Sequence, residues 1–158
     1  MVVADPIKDE TDFDRTAHML GGERILRRRI QSPLDTHDLL IVGLPTGALS
    51  HLVNGVAMLS RTEAIELAIG MSERTYYRHK KEAPAKRLSR EQSGRIWKFA
   101  EILRRATELL GTQEAAERWM VEPAIGLDQR RPIDLFSTPA GVDTLETYLT
   151  RIEYGVYA

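Results

Sequence analysis

The side chains best placed to do chemistry in this sequence are cations. From residue 74 to residue 90 the chain carries Arg74, Arg78, Lys80, Lys81, Lys86, Arg87 and Arg90 against a lone Glu82. Arg74, Tyr77, Arg78 and Lys81 recur at spacings of three and four, which places them on one face of a helix. Arginine can grip a guanine edge with two parallel hydrogen bonds, and lysine holds phosphate as a point charge. Such a face suits DNA. A basic run by itself is as readily a solvated helix surface, so its setting must decide.

Other chemistries lack their residues. The four histidines, His18, His37, His51 and His79, are far apart, cysteine is absent and there is no HExxH pair, so no metal site is expected. GLPTGALS contains glycines, yet GxxxxGK[ST], GxGxxG and GxSxG are all missing. No catalytic residue and no cofactor is expected, and the chain reads as a non-enzyme. Over 158 residues, 22 lysines and arginines nearly balance 23 acidic residues, so net charge alone names no partner. The absence of cysteine excludes a disulfide framework. No apolar run approaches the roughly 18 residues of a membrane span. The acidic start MVVADPIKDETDFD lacks the order of a signal peptide, so a soluble cytoplasmic protein is expected.

The elements that must carry the basic face are helices, and the fold is expected to be all-α. Ser60 followed by Glu63 has the form of a capping box. The helix it would open runs through AIELAI to Gly70, a natural left-handed stop. Met71 alone separates that stop from Ser72, a good N-cap, with Glu73 in the next first turn. Helix, short glycine-containing turn and second helix SERTYYRHKKE together make a helix-turn-helix. Its second helix enters the major groove by its N-terminal end. The candidate DNA contacts are therefore Ser72, Arg74, Thr75, Tyr77, Arg78, Lys80 and Lys81, while Tyr76 falls at an inward position. Glu66 stands where such motifs usually carry a small residue.

Before this unit, the first 14 residues are expected to be mobile, with helices near 13–20 and 23–30. LLIVGL, 39–44, reads equally as a short strand or a buried helix. Pro45 suits a helix first turn, followed by Leu49, Leu52, Val53 and Val56 at helical spacing. After the loop APAKR, a long helix from Ser89 carries the stripe Ile96, Phe99, Ala100, Leu103, Ala106 and Leu110. Gly111 stops it and Thr112 caps the next, whose Ala115, Ala116, Trp119 and Met120 face inward. A proline-rich loop leads to Thr138, which caps a last helix with Val142, Leu145, Leu149 and Ile152 inward. Three parts follow: residues 1–35, an N-terminal segment; 36–88, the helix-turn-helix part; and 89–158, a C-terminal helical part.

From about residue 57 to the end the sequence resembles the Xre/MbcA/ParS family of antitoxins. GMSERTYYR resembles that family's recognition segment. The C-terminal half resembles its toxin-binding domain, through LSREQSGRIWKFAEIL, AAERWM, RRPIDLFSTPAG and LETYLTRIEYGV. Trp119, Pro123, Leu127, Pro132, Leu135, Gly141, Leu149, Ile152 and Gly155 stand where the family leads one to expect them. The resemblance implies a partner, a RES-domain toxin that depletes NAD. The antitoxin would cover that toxin's cofactor cleft, and the complex would repress its own promoter as operator-bound protein.

The chain ends on RIEYGVYA, which fits that reading. Tyr154, Val156 and Tyr157 offer apolar area with few rotamers to freeze, as interface anchors do. Gly155 lets the chain leave its helix, and Glu153 or the terminal carboxylate of Ala158 suits arginines of a nucleotide cleft. Arg151 completes the expected toxin-binding set: Arg151, Glu153, Tyr154, Gly155, Val156, Tyr157 and Ala158. Operators are commonly bound by dimers, so a homodimer is expected, through either the 89–110 helix or the N-terminal helices. The alternative reading is a stand-alone helix-turn-helix regulator whose C-terminal helices only dimerise.

Overall fold

A computed structural model describes residues 10–155 and contains, among them, nine α-helices, three short 3₁₀ helices and no strand. They are α1 (Asp12–Met19), α2 (Gly22–Leu26), α3 (Pro33–Val42), α4 (Thr46–Gly55), α5 (Thr62–Ile69), α6 (Glu73–Lys80), α7 (Arg90–Leu110), α8 (Gln113–Met120) and α9 (Pro139–Glu153). The 3₁₀ helices are Ala57–Ser60, Ile125–Leu127 and Pro132–Ser137. The all-α expectation holds.

The 21-residue helix α7 is the axis of the molecule. Ser89 caps it: its Oγ accepts from the Gln92 amide at 3.1 Å, and Gln92 accepts from the Ser89 amide at 3.3 Å. Gly111 ends it at φ +95°, the left-handed conformation that a glycine adopts without strain. Ile96, Phe99, Ala100, Ile102, Leu103 and Ala106 are fully buried along it. Helices α1, α3 and α5 pack on α7, as do α8 and α9, and one continuous apolar core results. Phe99 meets Phe136 with ring centroids 5.4 Å apart, and truncating such a ring typically costs ~3–5 kcal/mol. Leu110, expected in the buried stripe, is exposed, because it is the last residue of the helix and extends past the core.

Several local expectations are corrected by this packing. Thr11 and Asp14 form a reciprocal cap that starts α1 at Asp12, inside the segment expected to be mobile, of which residues 1–9 lie outside the described residues. The expected 23–30 helix stops at Leu26, because Arg27 turns left-handed at φ +62° and caps α2. LLIVGL is helical through Val42; Gly43 then breaks it at φ +97°, against the Leu88 carbonyl. Pro45 is the N-cap of α4 and stands one residue before its first turn. Ser60 does not cap α5: the 3₁₀ turn Ala57–Ser60 absorbs it, the helix starts after Arg61, and Arg61 makes no side-chain cap. Glu63 instead lies 3.7 Å from Arg131.

The chain on either side of the helix-turn-helix is tied together. Leu88 donates to the Leu44 carbonyl at 2.8 Å, and Thr46 donates to that of Lys86 at 2.8 Å. Buried Ser93 accepts from the Leu44 amide at 2.8 Å. These bonds satisfy backbone groups that the broken helix leaves without partners. They also fix where the segment after α6 can lie.

Candidate nucleic-acid interface and C-terminal surface

The turn between α5 and α6 follows the expected punctuation. Gly70 caps α5 at φ +73°, Met71 is buried, and Ser72 caps α6 by accepting from the Thr75 amide at 3.1 Å. The Gly70 position is doubly constrained, since a Cβ there would lie 2.2 Å from Nη1 of Arg95. That guanidinium reaches back from α7 and donates to the Leu67 carbonyl at 3.1 Å, closing a free C-terminal carbonyl of α5. Burial pulls the Arg95 pKa below its ordinary value. Glu66 is exposed, because Ala64, Ile65, Ala68 and Ile69 face the core instead.

Helix α6 is split between two surroundings. Tyr76 is buried as expected, and burial, followed by the neighbouring Tyr77, pushes its phenol pKa up. His79 is buried too; its Nδ1 lies 3.0 Å from Glu82 Oε2, while Nε2 has no partner among the described residues. The His79 hydrogen bond holds the Glu82 carboxyl below its usual range. The opposite face is open. Arg74, Tyr77, Arg78, Lys80 and Lys81 are exposed, and Thr75 is half-buried with its hydroxyl 3.0 Å from that of Ser72. Lys80 Nζ stands 5.9 Å from the Tyr77 ring centroid. Among the described residues, Arg74, Arg78, Lys80 and Lys81 make no ion pair. Cations left unneutralised on one rigid helix face are what phosphate and guanine edges bind.

The second candidate surface lies at the far end of α9. Thr138 caps that helix by accepting from the Gly141 amide at 3.0 Å, with Pro139 in its first turn. Buried Gly141, Leu145 and Leu149 seat it on the core. At its tip Arg151 is exposed, Tyr154 is 75 % exposed, and Gly155 turns the chain at φ +65°. Glu153 already has a partner in the protein, Arg105 at 3.6 Å, whose Nη2 also donates to Thr150 Oγ1 at 3.0 Å. Val156, Tyr157 and Ala158 lie outside the described residues. A hollow of about 570 Å³ opens beside the tip, between α1, α7 and α9, lined by Phe13, Arg104, Arg105, Glu108, Glu153 and Tyr154.

Other contributors were not among the expected site residues. The Ile125–Leu127 turn presents Ile125 at 85 % exposure, and a Cβ on Gly126 would lie 2.4 Å from the Tyr148 ring. That ring stacks on Trp119 with centroids 6.3 Å apart and planes 4° from parallel. Arg131 bonds both carboxylate oxygens of Asp134 at 2.9 Å, which raises its pKa, and also approaches Glu63 of α5. The Pro132–Ser137 turn thus packs both on α9 and on the first helix of the helix-turn-helix. Arg95 bonds Leu67, 28 residues away, and Arg131 approaches Glu63, 68 residues away, so no local spacing announces these two contacts.

Two family models match the chain. The antitoxin Xre-like helix-turn-helix domain matches residues 35–101, beginning well before residue 57, and the antitoxin Xre/MbcA/ParS C-terminal toxin-binding domain matches residues 105–155. The chain belongs to the Xre/MbcA/ParS antitoxins. No curated protein gives a significant match. The exposed cations of α6 lie inside the helix-turn-helix match, and Arg151, Glu153, Tyr154 and Gly155 lie inside the toxin-binding match. In this antitoxin the two matches meet within α7, while α1 and α2 precede both. Among the described residues, no helix is long and apolar enough to cross a membrane, and no cluster of His, Asp and Glu suits a metal ion.

Proposed function

We propose that this chain is the antitoxin of a type II toxin-antitoxin pair, acting in the cytoplasm on a RES-domain toxin that depletes NAD. Residues 89–158 bind the toxin, and the segment Arg151–Ala158 enters its cofactor cleft. Residues 36–88 bind operator DNA through Ser72, Arg74, Thr75, Tyr77, Arg78, Lys80 and Lys81, as a homodimer that represses its own operon. The observation that carries this reading is the tip of α9. The helix is capped and seated on the core, yet its last side chains, Arg151 and Tyr154, stand exposed within the toxin-binding match. A rigid base with a protruding aromatic end is the form of an interface anchor.

The test is co-expression. The full chain is expected to protect cells from the toxin encoded beside it and to preserve their NAD. A chain lacking Tyr154–Ala158 is expected to stay folded and lose protection. Full protection by the folded truncated chain would overturn the tail assignment; a toxin that leaves NAD untouched would overturn the RES assignment.

A further inference from the structure

Helix α2 and the residues after it carry four arginines that neither family match covers: Arg24, Arg27, Arg28 and Arg29. All four are exposed, and none makes an ion pair among the described residues. They are not on a loose strand of chain. Leu26 and Ile30 are each 1 % exposed, so Arg27, Arg28 and Arg29 are strung between two buried anchors.

Their position follows from Gly47, at the start of α4. A Cβ there would meet Ile25 Cγ2 at 3.6 Å and both the Cβ and the carbonyl oxygen of Pro84 at 3.3 Å. Ile25 of α2 and Pro84 of the segment following α6 therefore converge on one point. The Gly47 amide donates to the Pro84 carbonyl at 3.0 Å, and Thr46 Oγ1 donates to that of Ala83 at 2.8 Å, which locks this corner. Arg24 and Arg27 lie one and two residues from Ile25 in the chain; Lys80, Lys81 and Lys86 lie within four residues of Pro84, Lys86 bonded to Glu82 at 3.2 Å and Lys80 and Lys81 without an ion pair among the described residues. The two arginines share a shallow hollow with Glu23 alone, whereas Arg28 and Arg29 line another with Glu10, Asp14 and Glu23.

We infer that Arg24 and Arg27 extend the DNA-binding surface, holding phosphates of the duplex beyond those reached from α6. The partner is the DNA backbone, because exposed guanidinium groups without an ion pair, on a segment packed at Gly47 against the one that follows the unpaired Lys80 and Lys81, match a line of phosphates. Contacts of this kind add affinity without reading sequence. The inference rests on the DNA-binding role proposed above.

Salt dependence tests it. Each phosphate contact contributes about 0.9 to the slope of log affinity against log salt concentration. The double substitution Arg24→Gln with Arg27→Gln is expected to make the slope shallower by roughly 1–2. Affinity should fall alike for the operator and for an unrelated duplex. Arg24→Lys with Arg27→Lys should restore the slope. Arg118→Gln with Arg130→Gln, which removes the same charge from the C-terminal half, should leave it unchanged. Circular dichroism confirms that each variant is folded. Operator binding with an unaltered slope in the Arg24/Arg27 variant would overturn this inference alone, as would an equal change in the Arg118/Arg130 control. Failure of the unsubstituted chain to bind any duplex would overturn the DNA-binding role as well.

Discussion

Two glycines in helices make opposite predictions when changed to alanine. In a helix interior, alanine is favoured over glycine by about 1 kcal/mol, since glycine loses more backbone freedom on folding. Gly94 of α7 has nothing within 4 Å of where a Cβ would stand. Gly94→Ala should therefore stabilise the protein by up to about 1 kcal/mol. Gly141 of α9 differs: its added Cβ would lie 2.2 Å from the Leu135 carbonyl oxygen, 3.0 Å from the carbonyl carbon and 3.1 Å from Cα. These are backbone atoms of the turn that also packs on α5, so they cannot rotate away as a side chain would. Forcing an extra carbon into a filled site costs ~1–3 kcal/mol, and a backbone obstacle belongs at the upper end. Position 141 is in the first turn of α9, where the propensity gain is small. The net expectation for Gly141→Ala is a loss of about 2 kcal/mol, or roughly 4–8 °C in Tm for a chain of this size. Thermal melting of both variants at one pH decides. If Gly141→Ala melts at or above the unsubstituted protein, the close seat of α9 on the Pro132–Ser137 turn is wrong. Reduced protection against the toxin should accompany the loss, because α9 carries the tip.

Arg74→Ala with Arg78→Ala should weaken operator binding in a gel shift at matched salt while sparing neutralisation; unchanged affinity would refute the assigned face. Gly70→Ala should cost about 1–3 kcal/mol by urea unfolding, because an L-residue is strained at this left-handed position and because the Arg95 guanidinium must give way. Equal stability would show that Arg95 does not fix the turn. The Glu82 carboxyl is held below its ordinary 4.5 by its bond to His79, so folding binds fewer protons there. Its stabilising contribution is complete above that ordinary value and disappears as pH falls through the lowered one. The Tm gap between the protein and Glu82→Gln should accordingly be widest above the ordinary 4.5 and close as pH falls through the lowered value; a constant gap would refute the pairing.

Features set by near neighbours in sequence were legible. Gly70 and Ser72 stop and start their helices through φ and a hydroxyl, both local properties, and the same holds for Ser89, Gly111 and Thr138. Ser60 and Glu63 had the right spacing for a cap and were still misread, because the 3₁₀ turn at Ala57–Ser60 packs on α4 and α5 and overrides the local preference. LLIVGL could not be assigned by period, since it is a helix end followed by a single bridge between Pro45 and Arg87. The basic face of α6 was visible because helical spacing places side chains directly. What holds it in place, Arg95, Ser93 and the Gly47–Pro84 corner, depends on residues distant in sequence.

The shared helix α7 also sets a phase between the two ends of the protein. Every residue of an α-helix turns the chain by about 100° and advances it 1.5 Å. Both matched domains draw on this one uninterrupted 21-residue rod, so inserting a single residue in its middle would shift the parts on either side by about 100°, a little over a quarter of a turn, about the α7 axis. Recombination between relatives is therefore constrained by angle as well as by contact. A C-terminal half borrowed from another antitoxin would have to join in register, as one gear must meet another tooth to tooth.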